Sequence, residues 1–247
     1  MTEKNNTAAT HLASLYGFLM MLTGSFGLLS LFRGKTDGII WYAAGIILLW
    51  AMGVAGVLHA AYRDNDSTSF GKSSDGRIGT SGILVMFPYI FTLWLRQAAI
   101  SLLSRENRYD KICDGVWIGR RPSCASHLPE EASVCVDLAA EFASAAFLRN
   151  SSSEKLKYIS FPILEASTRG IEELCECIDS LPEGNIFIHC AQGHGRSGFF
   201  TAAYLLRSGR VGTLPQAEEL IRSARPGVKL RKAQHAFLAK YEADLKK

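Results

Sequence analysis

Residues 189–198 read HCAQGHGRSG, and this stretch organises the second half of the chain. A short, largely apolar run at 185–188 leads into it, and an apolar, helix-like run at 199–206 leads out. The pattern predicts a buried strand, a glycine-bearing loop and a helix in direct succession. The backbone N–H groups of such a loop converge on one point, and the helix N-terminus adds positive potential there. The loop is therefore a candidate anion site.

Two side chains of this loop add chemistry to the anion site. A positive field of this kind lowers the pKa of a cysteine thiol from ~8.5 toward ~3.5–7.5, so Cys190 is a candidate nucleophile. Arg196 follows six residues later, and its planar guanidinium can hold two phosphate oxygens. The candidate nucleophile Cys190, the loop amides and the Arg196 guanidinium thus lie within a few residues of one another in the sequence. This combination indicates phosphate chemistry.

The pattern Cys-x5-Arg-Ser after His189 resembles the signature loop of cysteine-dependent protein tyrosine phosphatases, and most of all their dual-specificity branch. The resemblance covers roughly residues 107–247. It implies a phosphocysteine intermediate on Cys190, with Ser197 assisting the departure of the thiolate and His189 bracing the loop. The phosphate oxygens would be held by the Arg196 guanidinium and by the amides of Ala191, Gln192, Gly193, His194, Gly195 and Arg196.

The proton donor for the leaving alcohol is the chief departure from the family pattern. Related phosphatases use an Asp on the loop after the strand that precedes the signature, but residues 159–168 contain no Asp and carry Glu165 there. Glu has the same chemistry with one more methylene, so Glu165 is the first candidate for the general acid. Asp137, at the end of another strand, is the alternative. Ser197 also has an alternative role, as a hydroxyl that satisfies a backbone N–H where a helix begins.

Beyond residue 105, short strands alternate with amphipathic helices. Strands are expected at 116–118, 133–137, 158–161 and 186–189, and helices at 139–148, 168–181, 196–208, 214–224 and 231–245. The alternation predicts an α/β fold with a mostly parallel central sheet flanked by helices. The signature loop would then lie beyond the carboxyl end of a strand, where open α/β sheets bind ligands.

The first 104 residues have a different composition. Residues 12–32 and 39–62 contain no Asp, Glu, Lys or Arg, and each run is long enough to cross a bilayer core of ~30 Å. They predict two transmembrane helices, with a cleaved signal peptide as the alternative for the first. Residues 82–103 predict an interfacial helix, with a third span as the alternative. The expected domains are a membrane region, 1–104, and a catalytic domain, 105–247.

The distribution of basic residues predicts the sidedness of the catalytic domain. With two spans, the turn at 33–38 carries two basic residues, whereas Lys4 and a basic cluster between 63 and 108 lie on the other side. The positive-inside bias then makes this an integral membrane protein with a cytoplasmic catalytic domain. Three spans would reverse that orientation.

Composition narrows the classes of partner. The net charge is +4 and no basic stripe with interleaved aromatic residues is present, which argues against nucleic acid. The sequence has neither a nucleotide-binding glycine loop nor a cluster with metal-ligand spacing, so no cofactor and no metal are implied. The expected partners are the lipid bilayer and a phosphorylated substrate, with phosphoproteins ranked ahead of phospholipids. A phosphate-binding module without turnover and a redox or sulfur-transfer protein are the alternatives of other classes.

Overall fold

The computed structural model describes residues 7–149 and 155–246. The first part of the chain is helical, with α1 (Thr7–Asp37), α2 (Ile39–Asp64), α3 (Thr80–Val85) and α4 (Phe87–Leu103). An α/β part follows, with β1 (Tyr109–Cys113), β2 (Val116–Arg120), β3 (Val134–Ala139), α5 (Ala146–Arg149), β4 (Lys157–Ile163), α6 (Ile171–Asp179), β5 (Ile186–Cys190), α7 (Gly195–Arg207), α8 (Leu214–Ala224) and α9 (Lys232–Leu245).

Helices α1 and α2 pack as an antiparallel pair. Gly45 on α2 permits a close approach, because a Cβ at this position would lie 2.6 Å from the Leu31 side chain. Among the described residues, α1 and α2 are the helices long and apolar enough to cross a bilayer, over 8–35 and 39–64. Only 17% of each apolar window is buried, which argues against the core helices of a water-soluble domain. The membrane role of the pair stays a prediction.

The segment predicted as one interfacial helix at 82–103 contains two helices, α3 and α4, which meet at Met86. This break lies beside the middle of α2, because the Trp50 indole N–H donates to the Val85 carbonyl oxygen at 2.8 Å. The Trp50 and Phe87 rings also stack, with centroids 6.4 Å apart. Helix α4 has 17 residues, fewer than the ~20 that a span needs, so its length does not favour the third-span alternative.

The α/β part is built on a five-stranded sheet in the order β1-β2-β5-β3-β4. Strands β2, β5, β3 and β4 are parallel, and β1 pairs with β2 in the antiparallel direction. The predicted α/β class with a mostly parallel sheet is confirmed. Strand β1 was not predicted, because its sequence YDKIC mixes charged and apolar residues and it forms an edge of the sheet.

Side chains alternate between the two faces of the sheet. Val136 and Ile188 point into the main core, which α6, α7, α8 and α9 cover. Cys135 and Phe187 belong to a second core on the opposite face, to which α5 contributes Leu148. Because both faces of β5 are buried, the end of this strand is held firmly, and the signature loop begins there.

Four of the predicted helices are confirmed as α6, α7, α8 and α9. The helix predicted at 139–148 is wrong, since β3 continues to Ala139 and one helical turn forms only at α5. The alanines of this segment favour a helix, but propensity is a weak preference that tertiary contacts override. Here Glu141 and Phe142 are buried beside the signature loop.

Candidate active site

The signature loop joins β5 to α7 and lines a pocket of about 290 Å³. Cys190 is the last residue of β5 and is buried in this pocket. The Gly193 N–H donates to the Cys190 sulfur at 3.3 Å. Gly193 has a φ of +74°, and a Cβ here would lie 2.4 Å from the backbone of Gly119. The tight turn around the sulfur therefore requires glycine at this position.

The surroundings of Cys190 favour the thiolate. Burial by itself would raise the pKa of the thiol, but the charge of Arg196 and hydrogen bonds from Ser197 and His194 outweigh it, and the pKa is lowered. The Ser197 hydroxyl is buried and has no hydrogen-bond partner among the described oxygen and nitrogen atoms, which leaves it available to the sulfur. A lowered pKa and a buried hydroxyl beside the sulfur are the features that a nucleophilic cysteine needs.

Arg196 is held by a carboxylate that the sequence analysis did not single out. Its two terminal nitrogens donate to the two Glu141 carboxylate oxygens, each at 2.6 Å, and one of them also donates to the Ile163 carbonyl oxygen at 3.0 Å. Both side chains are buried. Burial alone would raise the pKa of the Glu141 carboxyl, but the Arg196 charge lowers it below the usual value. Glu141 therefore fixes the orientation of the Arg196 guanidinium.

His189 and Asp137 lie beneath the loop. The His189 Nδ1 atom is 3.4 Å from the Cys190 carbonyl oxygen and 3.8 Å from an Asp137 carboxylate oxygen. Burial lowers the pKa of His189 to about 4, so the imidazole is neutral at pH 7. This position agrees with a role for His189 in supporting the loop, which stays a prediction.

Asp137 is fully buried and occupied by structural hydrogen bonds. Its carboxylate accepts from the Lys72 ammonium and from the Tyr158 hydroxyl, both at 2.8 Å, and from the Ala139 amide at 3.0 Å. Burial would raise its pKa, but Lys72 and the other donors bring it down to about 2. An ionised carboxylate outside the pocket lining is poorly suited to donate a proton, so the geometry favours Glu165 over Asp137 as the acid.

Glu165 lies in the pocket wall, two residues after β4. One of its carboxylate oxygens is 3.7 Å from the Arg96 guanidinium, and both side chains are partly exposed at the mouth. The leaving group of a substrate bound at the buried nucleophile would point toward the pocket opening, where this carboxyl lies. The structure thus brings Cys190, Arg196, Ser197 and Glu165 to one site.

Arg225 braces the outer part of the loop, another contact that sequence reasoning missed. The buried guanidinium donates to the Gly193 carbonyl oxygen at 3.0 Å and to the Gln192 carbonyl oxygen at 3.3 Å. It also pairs with Asp110 at 2.5 Å. With these carbonyls turned toward Arg225, the loop amides are free to face the pocket. His194, at the pocket mouth, is bound through Nε2 to Glu106 at 2.8 Å.

Residues 123–244 match the family model described as dual specificity phosphatase, catalytic domain. The signature loop lies within the matched range. This part of the chain is therefore similar to the catalytic domain of dual specificity phosphatases.

Solved structures resemble the same part of the chain. A mouse putative dual specificity phosphatase complexed with zinc tungstate is 20% identical, with a TM-score of 0.49, over 58% of this chain and 91% of that one. Tk-PTP in the active form is 24% identical, with a TM-score of 0.48, over 55% and 97%. PTPMT1 in complex with PI(5)P is 15% identical, with a TM-score of 0.47, over 56% and 97%. The comparison with curated proteins gave no match.

Proposed function

We propose that this protein is a membrane-anchored, cysteine-dependent phosphatase that hydrolyses phosphomonoesters through a phosphocysteine intermediate. The observation that carries the proposal is the arrangement around Cys190. The pKa of its thiol is lowered, the Gly193 N–H donates to its sulfur, and Arg196, whose charge helps to lower that pKa, is held by two hydrogen bonds to Glu141. Such preorganised donors stabilise the charge on a transferring phosphoryl group.

In the first step, the Cys190 thiolate attacks phosphorus and the bond from phosphorus to the leaving oxygen breaks. The loop amides and Arg196 hold the three equatorial oxygens. The Glu165 carboxylic acid gives its proton to the leaving oxygen, so that an alcohol departs and a carboxylate remains. This proton is worth ~10²–10⁴ in rate for a poor leaving group.

In the second step, water attacks the phosphocysteine. The Glu165 carboxylate takes a proton from this water, the phosphorus–sulfur bond breaks, and the thiolate leaves with the help of the Ser197 hydroxyl. Inorganic phosphate is released and the starting protonation states are restored. Both steps use only groups of this chain and water.

The test is phosphate release from a soluble aryl phosphate by the full-length protein in detergent. We expect turnover by the wild type and by Cys124→Ser, which removes an exposed cysteine far along the chain from the loop. We expect none by Cys190→Ser. If the wild type binds inorganic phosphate but releases none from the ester, the chain is instead a phosphate-binding membrane module.

We also propose that the catalytic domain is cytoplasmic, as the positive-inside bias predicts. Cytoplasmic-specific and exported-specific reporter enzymes fused to the C-terminus would test this. Activity of the exported reporter alone would overturn the two-span orientation.

The ranking of phosphoproteins ahead of phospholipids stays a sequence-based prediction, and the position of α4 supports the reverse order.

A further inference from the structure

Helix α4 forms one wall of the pocket, although it precedes the α/β part of the chain. Leu93, Arg96 and Gln97 line the pocket together with Cys190. The Gln97 side-chain amide donates to the Ala191 carbonyl oxygen, in the signature loop, at 2.9 Å. Leu93 packs against a buried cluster that includes Ala191. These three residues have helical spacing and share one face of α4, so this face is built into the site.

The next face of α4 is apolar and exposed. Phe87, Phe91, Trp94 and Leu95 are each between 44% and 56% exposed, which is unusual for large apolar side chains on a folded domain. The Phe87 and Phe91 rings stack on each other, with centroids 5.7 Å apart. Aromatic rows of this kind are typical of helices that contact lipid headgroups and acyl chains.

This apolar face continues the surface of the two candidate membrane helices. Phe87 stacks on Trp50 of α2, and the same indole donates to the Val85 carbonyl oxygen. The exposed apolar side chains of α1 and α2 extend from there, over windows long enough to cross a bilayer. Because one continuous apolar surface includes all three helices, a bilayer that takes up α2 also contacts α4. In that arrangement α4 would contact both the bilayer and the catalytic loop.

The mouth of the pocket is rich in cations. Arg96, Lys229 and Arg231 line it, against the single carboxylate of Glu165 at the opening. Arg196 binds the phosphoryl group below, and Glu165 offsets one of the three rim cations, so a net positive charge remains at the mouth for a second anionic group on the substrate. A lipid headgroup that ends in a phosphomonoester and is joined to its glycerol by a phosphodiester carries such a second charge.

We propose that the pocket binds a lipid phosphomonoester that is still in the bilayer contacted by α4, and that Arg96 binds the second anionic group of the lipid headgroup. This inference rests on the proposed phosphatase activity and names its substrate class. The apolar face of α4 sets the distance between the membrane surface and Cys190. Gln97 and Leu93 connect that face to the signature loop. A lipid substrate in the plane of the bilayer can therefore bind to a catalytic loop that is already in position.

The experiment uses full-length protein reconstituted into phosphatidylcholine vesicles. Four substrates are compared: phosphatidylglycerophosphate in the same vesicles, its deacylated headgroup in solution, a phosphoserine peptide and an aryl phosphate. The rate of aryl phosphate hydrolysis measures how many active sites are accessible, so the rate with each other substrate is divided by this rate. We expect the vesicle lipid to exceed the deacylated headgroup by ~10²-fold or more, which is the range that confinement beside the site supplies.

Three variants locate the effect. Phe91→Gln with Trp94→Gln alters the apolar face of α4, and Arg96→Gln alters the rim. Each is expected to lower the ratio of lipid to aryl phosphate turnover by ~tenfold or more, with Arg96→Gln acting through KM. Arg222→Gln, which removes an exposed arginine paired with Glu218, is the matched control and should keep the wild-type ratio.

The outcomes separate the two proposals. Hydrolysis of the aryl phosphate, with vesicle lipid no better than the deacylated headgroup, overturns the lipid inference and leaves the phosphatase proposal standing. A peptide rate above the lipid rate overturns it in favour of phosphoproteins. Absence of aryl phosphate hydrolysis overturns the proposed function itself, and the lipid inference with it.

Discussion

Replacing Lys72 tests whether the polar segment before α3 is part of the catalytic core. The Lys72 ammonium and the Asp137 carboxylate are 2.8 Å apart, and their side chains are 0% and 1% exposed. Lys72→Met keeps most of the side-chain volume but leaves Asp137 buried without its cation. Breaking a buried pair from one side costs ~3–5 kcal/mol, a large share of the ~5–15 kcal/mol that stabilises a domain.

The pKa of Asp137 gives a second measure of the same interaction. Burial would raise this pKa, but Lys72, His189 and the hydrogen bonds hold it at about 2. The unperturbed value is ~3.9, and each pKa unit corresponds to ~1.4 kcal/mol, so the ionised carboxylate contributes on the order of 2–3 kcal/mol at pH 7. Because the folded-state pKa is the lower one, this contribution is present above pH ~4 and is lost as the pH falls toward 2.

The assay is urea unfolding of the full-length protein in detergent, followed by tryptophan fluorescence. We expect Lys72→Met to lose ~3–5 kcal/mol at pH 7, and Lys72→Met with Asp137→Asn to recover part of the loss. Arg77→Met is the control, because Arg77 pairs with Asp75 in the same segment but is largely exposed. It should cost less than ~1 kcal/mol. Equal, small losses for Lys72→Met and Arg77→Met would refute the buried contact.

Three further predictions concern the pocket. Glu165→Gln is expected to lower turnover of alkyl phosphates by ~10²–10⁴, with a much smaller effect on aryl phosphates that leave easily; equal losses would remove Glu165 from the acid role. Gly193→Ala places a Cβ 2.4 Å from the Gly119 backbone, so kcat/KM should fall by ~100-fold, and near-normal activity would contradict the geometry of the loop. Alkylation of Cys190 by iodoacetamide should follow the thiolate, with a pH midpoint below that of an ordinary cysteine thiol, and a midpoint at or above the ordinary one would contradict the lowered pKa.

The sheet and the signature loop could be predicted because their signals are local. Short runs rich in β-branched and aromatic residues indicated four strands, and the glycines and Arg196 indicated the loop after one of them. The failures have physical causes too. Strand β1 has few apolar residues because it lies at an edge. Residues 139–148 have helical composition, but the burial of Glu141 against Arg196 keeps the first part of this segment out of a helix, and only the short α5 forms.

The supporting contacts of the site are not visible in the sequence because they join distant parts of the chain. Glu141 and Arg196 are 55 residues apart, and Lys72 and Asp137 are 65 apart. The expected boundary between the membrane region and the catalytic domain, at residue 104, likewise follows a change in composition. The pocket crosses it, since Gln97 of α4 bonds to Ala191 of the loop. The spacing along α4 indicated an amphipathic helix, but only the fold identifies which of its faces meets the site.

The most direct test of the central claim is detection of the covalent intermediate. Full-length protein would be mixed with aryl phosphate, quenched in acid within the first turnover, digested and analysed by mass spectrometry. The account predicts one added phosphoryl group on the peptide that contains Cys190, and none in Cys190→Ser. Phosphate release by the wild type with no phosphoryl group on that peptide, or with the same release by Cys190→Ser, would contradict a mechanism through phosphocysteine.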